Sequence, residues 1–534
     1  MKRLTLLLTL MILFPAGATQ SQRRSTRATE TQSQPRAQAP ARSARVSSSG
    51  TSNRDLADAL TLAKAGKYAE ASQRLFRLSY SPAFASKRMQ IKYILGLTLH
   101  QMKLNQVAAF QFIGVVKQGN NSYIKQSLEK LSLAADALGD DTLLNYAISR
   151  VNVDEFPRVH RDMLHFRIGE FQMRNKQYEE AARSFSKVSH GHTLFPSAKY
   201  QEGLAYAEGN QADRALTSFE ELVQARRNAG VTDKARVDGV MGKARVLYQK
   251  HAWDETVETY RQVPRDSEFW HDTLFESSWA MLRSGRFRSA MSNFHSLHSS
   301  FYEDTYLPES LLLRSIVYLY ICKYEEMDKT LDLFGLIYKP VYKSIDSVLA
   351  TVTSSDRYFV MMNEMMKLVN KEGARSQSTP LPYIVATKIS READFQKSFQ
   401  YIRRLLEEKK RISNLPGGWA NLPVGQYARK VINTRLAKAK QRAGKIVHAH
   451  LVAIKEDLLD LIEQEGFIRY EMINGRKESL KKKIAGKELV EQQIDDENQR
   501  DFYIQNGYEY WPFRGEYWLD ELGNYHYVGT QSCN

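Results

Sequence analysis

The sequence predicts an all-α fold: a solenoid of stacked helix hairpins, then long helices, then a small aromatic C-terminal hairpin. Three observations predict it. A small–modest–bulky submotif recurs every 34 to 41 residues between residues 54 and 338. An apolar seam with a 3.5-residue period runs from Val447 to Met472, within a stretch that has no proline from Pro423 to Pro512. Ten aromatic side chains crowd between Phe502 and Tyr527.

Composition sets the outer limits. At about 150 residues per domain, the 534 residues correspond to roughly three or four domains. Hydrophobic residues at 43% and charged residues at 25% are ordinary for a globular chain. Two cysteines exclude a disulfide-stapled mini-domain and a four-thiolate zinc ribbon. The net charge is +16, but residues 1–54 hold nine Lys and Arg against Glu30 alone, which is +8. The other +8 is spread over 480 residues, too diffuse to point to nucleic acid.

The N-terminus has the pattern of an export signal. Lys2 and Arg3 precede an apolar run from Leu4 to Phe14, and Ala16-Gly17-Ala18 supplies small residues for cleavage. The run is too short for a stable membrane span, and it is the only candidate, so a multi-pass membrane protein is excluded. No cysteine follows for lipidation. The expectation is a signal peptide over 1–18 and a periplasmic or secreted protein beginning near Thr19. Residues 19–53 are Ser, Thr, Gln, Arg, Ala and Pro with few large apolar side chains, and read as a disordered basic linker.

The repeat occupies 54–338. Its frame is a small residue, a small or modest residue twelve positions on, and a bulky apolar one four further. Gly169, Ala181 and Phe185 fit it, as do Gly203, Ala215 and Phe219. So do Ala59, Ala71, Leu75; Gly96, Ala108, Phe112; Ala244, Thr256, Tyr260; Ser278, Ala290, Phe294; and Ser315, Met327, Leu331. Ser132, Leu144 and Ile148 fit more loosely. The middle members are separated by 37, 36, 37, 34, 41, 34 and 37 residues. An aromatic residue often precedes the middle member by three: Tyr68, Tyr178, Trp253, Phe287 and Tyr324. Physically this is a helix hairpin. A small residue on the first helix lets the second approach, and the second places its Ala and aromatic on one face. One hairpin cannot bury its stripe alone, whereas a stack can.

These elements resemble the tetratricopeptide repeat family, over about eight units. The loop-breaking proline is missing or displaced in most units, and the unit with Ser132 and Leu144 is degenerate. The resemblance implies a right-handed superhelix that holds an extended peptide or a partner helix on a concave face lined by first helices. It assigns Tyr93, His100, Phe166, Glu170, Tyr200, Arg245, Tyr248, Phe275, Trp279 and Arg283 to that groove. Aromatic and arginine side chains are the types that dominate binding energies; the competing reading is packing between repeats.

Residues 339–424 lose the frame and read as an irregular helical region. Met361, Met362, Met365 and Met366 form one apolar stripe that fills core, and a helix is expected over 391–412. Residues 425–496 read as a long basic helix, or as a hairpin folded back at Asn474-Gly475. The seam Val447, Leu451, Ile454, Leu458, Leu461, Glu465, Ile468, Met472 is broken only by Glu465. It either makes a homodimer or docks back on the solenoid. Residues 426–446 carry seven Lys and Arg with no acid, which suits an anionic cell-wall or membrane-surface contact or a solvated helix face.

Residues 497–534 read as an aromatic clasp. Their run Tyr510-Trp511-Pro512-Phe513-Arg514-Gly515-Glu516-Tyr517-Trp518 resembles tails of exported tetratricopeptide proteins in bacterial gliding-motility envelope machinery. That likeness implies a place in a multiprotein envelope complex. The competing reading takes Glu516, Asp520 and Glu521 as glycan-cleaving carboxylates beside sugar-stacking rings.

No phosphate loop, Gly-x-Ser-x-Gly or His-Glu-x-x-His occurs. His448 and His450, two apart on a helix, cannot share a metal. The expectation is an exported non-enzymatic scaffold with protein partners in the envelope and no catalytic, cofactor or metal residues. The alternative is a peptidoglycan-binding or glycan-cleaving wall protein.

Overall fold

The computed structural model describes residues 53–119, 122–140, 142–148, 161–225, 232–368 and 379–484. The expected signal peptide, nearly all of the basic linker and the aromatic clasp with Glu516, Asp520 and Glu521 lie outside these residues. Among them are 20 α-helices and no strand, an all-α tetratricopeptide-like solenoid.

Sixteen helices pair as hairpins in chain order. Hairpin 1 is α1 (Asn53–Lys64) and α2 (Tyr68–Tyr80); hairpin 2 is α3 (Arg88–Gln101) and α4 (Asn105–Val116). Hairpin 3 is α5 (Ile124–Leu138) and α6 (Thr142–Ile148); hairpin 4 is α7 (Arg161–Arg174) and α8 (Tyr178–Phe185). Hairpin 5 is α9 (Phe195–Glu208) and α10 (Ala212–Gln224); hairpin 6 is α11 (Asp233–Gln249) and α12 (Trp253–Tyr260). Hairpin 7 is α13 (Trp270–Arg283) and α14 (Phe287–Leu297); hairpin 8 is α15 (Pro308–Tyr320) and α16 (Tyr324–Thr351).

Each hairpin turns on one left-handed residue. These are Gly66, Lys103, Gly139, Lys176, Asn210, His251, Gly285 and Cys322, with φ between 57° and 76°. Each stands five residues before the middle member of the sequence frame, so the turns carry the same spacing. Five turns place a side chain where glycine is cheapest, a cost of about 1 kcal/mol each. The aromatics Tyr68, Tyr178, Trp253, Phe287 and Tyr324 are the first residues of their second helices.

The small residues earn their place by contact. A Cβ added at Gly96 would meet the Phe112 ring at 2.5 Å, one at Gly169 the Phe185 ring at 2.6 Å, and one at Gly203 the Phe219 ring at 2.7 Å. Phe219 is held on its other side by Gly242 of the next hairpin, at 2.5 Å. Phe112, Phe185, Phe219 and Phe294 are at most 1% exposed. Burying each ring is worth about 3 kcal/mol.

The remaining four helices are α17 (Ser355–Leu368), α18 (Tyr383–Arg391), α19 (Ala393–Ser413) and α20 (Pro423–Ile484). The expected repeat segment ends at 338, but α16 continues to Thr351, with Pro340 inside it. The bond that Pro340 cannot donate would go to the carbonyl of Leu336, whose side chain is 73% exposed, so the loss falls on the solvent side. Met362 and Met365 are buried core.

Of the two expected forms of 425–496, the structure shows one uninterrupted helix of 62 residues, roughly 93 Å long. It does not fold back at Asn474-Gly475; Gly475 is where the Tyr324 hydroxyl comes close. The seam docks on the chain itself: Val447, Leu451, Ile454, Leu458, Ile468 and Met472 are all buried. Ion pairs set α16 antiparallel to α20, with Arg469 on Asp328 (2.7 Å) and Asp332 (2.9 Å), Lys339 on Glu465 (3.1 Å), and Lys455 on Asp346 (2.5 Å). Glu465, the break in the seam, is 4% exposed and also accepts from Arg469 at 2.8 Å. Where α17 crosses α20, a Cβ at Gly444 would lie 1.7 Å from the Ser355 carbonyl oxygen. Cys322 is disulfide-bonded; Cys533, the other cysteine of the chain, lies outside the described residues.

The hairpin geometry predicts the outcome of three substitutions. Gly203→Val should cost about 2–3 kcal/mol in denaturant unfolding, through overpacking against Phe219. Gly114→Ala on α4, with nothing within 4 Å of the new Cβ, should be neutral or stabilising by up to about 1 kcal/mol; equal losses at both sites would refute the close-approach account. Lys176→Gly, at a left-handed turn, should raise the unfolding midpoint by about 0.5–1 kcal/mol equivalent.

Candidate partner-binding surface

The ten residues expected in the groove divide by what they touch. Tyr93, Phe166 and Tyr200 each stand three residues before Gly96, Gly169 and Gly203. Each packs on the phenylalanine of its own second helix: Tyr93 on Phe112 at 6.1 Å, Phe166 on Phe185 at 5.6 Å, Tyr200 on Phe219 at 5.6 Å. Phe166 is buried, and Tyr93 also stacks on Tyr123 at 5.6 Å. All three rings make packing contacts within their own hairpins, and Tyr93 and Tyr200 stay half-buried. His100 is half-buried, and burial lowers its pKa. Glu170 is occupied by Arg167 at 2.8 Å and by Lys397 of α19 at 3.4 Å. Tyr248 meets Trp253 edge-on at 5.0 Å, and the Arg283 guanidinium lies 6.0 Å from the same ring. Phe275 and Trp279 are half-buried on α13.

The structure brings Arg245 together with residues that the sequence reading left out of the groove. Its Nε donates to Glu276 Oε2 at 2.9 Å and its Nη2 to Oε1 at 2.7 Å, a two-pronged pair between hairpins 6 and 7. Tyr260 donates its hydroxyl to Glu276 Oε2 at 2.6 Å. Burial raises the Tyr260 phenol, and the Glu276 carboxylate raises it further, so it remains a donor. Burial also raises Tyr200, partly offset by the Arg245 charge beside it. Hairpins 5, 6 and 7 thus share one polar cluster, with the Arg245 side chain still 46% exposed. Glu276 was detectable in principle: it lies one helical turn before Trp279, the position equivalent to Arg245 in the next hairpin.

Helices α18 to α20 bind the other hairpins. Lys397 pairs with Glu170 of hairpin 4, and Arg404 donates to the Asp136 carbonyl of hairpin 3 at 3.4 Å. Trp419, 1% exposed, donates its Nε1–H to Ser72 Oγ of hairpin 1 at 3.0 Å. Near hairpin 7, Arg391 acts on His271 and Asp272, which lie 3.4 Å apart. Burial lowers the His271 pKa and raises that of Asp272. None of these bonds reaches hairpins 5 and 6.

The tightest anchor is Glu408, 4% exposed. Its carboxylate accepts from the Gln106 backbone N–H at 3.0 Å and from Val107 N–H at 3.2 Å, at the N-terminus of α4. Tyr401 donates to Gln106 Oε1 at 2.6 Å. The helix end and Arg411 favour the charged carboxylate, yet burial outweighs them and pushes Glu408 up to about 7.

Among the described residues no group of three His, Cys, Asp or Glu is placed to hold a metal ion. His298, which shares a helix face with His295 in sequence, is engaged structurally. Arg314 donates to its Nδ1 at 3.1 Å, leaving Nε2 to donate to Ser310 Oγ at 2.9 Å.

Glu408 generates a pH prediction. The folded chain keeps a proton there that the unfolded chain releases near its ordinary value of 4.5. Its contribution therefore declines as pH rises from about 4.5 to about 7. Glu408→Gln, which retains an acceptor for the α4 N–H groups, lacks this decline. The variant should gain up to about 3 kcal/mol on wild type between pH 4.5 and 8. Denaturant titrations at both pH values check it; a pH-independent difference would refute the assignment.

A tetratricopeptide repeat family model matches residues 197–229, the segment built around hairpin 5. No curated protein matches the chain at a significant level. The matched hairpin has the same small-residue approach and left-handed turn as its neighbours, and these hairpins are a protein-interaction architecture. Residues 197–229 are thus similar to a tetratricopeptide repeat, and the hairpins on either side share that geometry.

Proposed function

We propose that this protein is an exported, non-enzymatic scaffold whose hairpins hold protein partners inside a cell-envelope complex of the gliding-motility or transport kind. The reading takes the stack as a right-handed superhelix with the first helices on its inner face. The observation that carries it is the cluster Tyr200, Arg245, Tyr260 and Glu276. Its bonds join hairpins 6 and 7, Tyr200 of hairpin 5 stands beside Arg245, and the Arg245 side chain stays partly exposed. Phe275 and Trp279, half-buried on α13 next to Glu276, add aromatic surface. A rigid arginine beside rings is the arrangement that anchors a peptide or helix. Export is supported by the residues 1–18 pattern alone, and the envelope setting by the tail likeness.

Affinity purification of the full-length protein from native envelopes, followed by mass spectrometry, tests the reading. Wild type should retain a defined set of envelope proteins. Arg245→Ala with Trp279→Ala should lose at least about tenfold of that set while circular dichroism is unchanged. N-terminal sequencing should place the mature start near Thr19. Unchanged capture by the double variant, or glycan release abolished by Glu516→Gln, would overturn the scaffold reading in favour of a wall-acting protein.

A further inference from the structure

The face of α20 turned away from its buried seam is covered by nothing among the described residues, and its charges are ordered in blocks. Lys430, Lys438, Arg442 and Lys445 are exposed and make no ion pair there. At about 3.6 residues per turn Lys438, Arg442 and Lys445 fall on one side of the helix, opposite Val447 and Leu451, with Lys430 on its flank. No acid occurs on α20 before Glu456. The same face then carries Glu456, Asp460 and Glu463, exposed and likewise unpaired. Beyond them come Phe467 (64% exposed), Tyr470 (61%) and Ile473 (57%). Leu459, also exposed, lies inside the acidic block.

We propose that this face is a homodimer interface, in which α20 of a second copy lies antiparallel to the first. Two features argue for a second copy. Lys445, at the edge of the basic block, and Glu463, at the far edge of the acidic block, can meet only when one helix is reversed; parallel copies in register would set like charges together. A two-fold axis near residue 454 brings Lys445 of one copy opposite Glu463 of the other, twice by symmetry. The same register sets Ala449 against Leu459, Lys438 over Tyr470, and Arg442 against Gly466 beside Phe467, so the exposed rings receive cations. An anionic bilayer fits less well, since the acidic block would face it in mid-helix. This inference is independent of export and of what the hairpins hold.

Light scattering on the full chain across a concentration series, with sedimentation for the dissociation constant, provides the test. Wild type should be dimeric at low salt and dissociate as salt rises. Lys445→Glu and Glu463→Lys should each weaken the dimer at least about tenfold, because two contacts become repulsive. The doubly exchanged chain, Lys445→Glu with Glu463→Lys, should recover to within about threefold of wild type. A wild-type monomer, a dimer indifferent to both reversals, or an exchanged chain that stays monomeric would each overturn the proposal. So would monomers that bind phosphatidylglycerol vesicles through Lys445, which would mark a bilayer-facing surface instead.

Discussion

Everything in the hairpin stack depends on how closely two helices can approach. The absent Cβ at Gly96, Gly169 and Gly203 opens space for a phenylalanine four residues beyond the small middle residue of the facing helix. Phe219 shows the constraint at its tightest, held between Gly203 of its own hairpin and Gly242 of the next. That contact sets both the spacing inside a hairpin and the spacing between hairpins. A single extra methyl group there would move two helices at once, since interiors pack as densely as crystals.

The long helix solves a different problem. A solenoid has two ends, and each exposes an apolar face. Here α20 meets both. Tyr427 packs on Phe76 of hairpin 1 at 5.4 Å and accepts from Gln111 of hairpin 2 at 3.1 Å. Its far end lies along α16 of hairpin 8, where Arg469 joins Asp328, Asp332 and Glu465. The contacts made by α18 and α19 differ in kind. Glu408 and Tyr401 are buried at hairpin 2, whereas Lys397, on the way past hairpin 4, is exposed. Exposed pairs contribute little, and salt weakens them. The span between the anchors is therefore held more loosely than its ends. Hairpins 5 to 7 retain the polar cluster around Arg245, which is why the binding reading centres there.

Much of this was legible from residues alone. The frame of Gly, Ala and Phe marks contacts that exist, and Tyr178 or Phe287 marks the first residue of a second helix. The seam from Val447 to Met472 marks a buried face, including Glu465, whose charge is met by Lys339 and Arg469. The groove was less legible. Tyr93, Phe166 and Tyr200 carry side chains common at interfaces, yet each packs on its own hairpin's phenylalanine. A linear reading cannot separate an inward-turned ring from an outward one on the same helix side. Glu276, Tyr260 and Glu408 were missed because their importance arises from partners on other helices, 302 residues distant in the case of Glu408 and Gln106.

Local periodicity and steric need are properties of neighbouring residues, so the sequence by itself determined the all-α class, the hairpin spacing and the seam. Choices between distant surfaces belong to the tertiary structure alone. It decided that the seam turns inward, that α20 runs unbroken past Asn474-Gly475, and that Glu408 of α19 is buried against the N-terminus of α4. The physical reason is that apolar stripes attract without direction. What a stripe covers is decided by geometry, by charge pairing and by the polar groups that must find partners once water is gone.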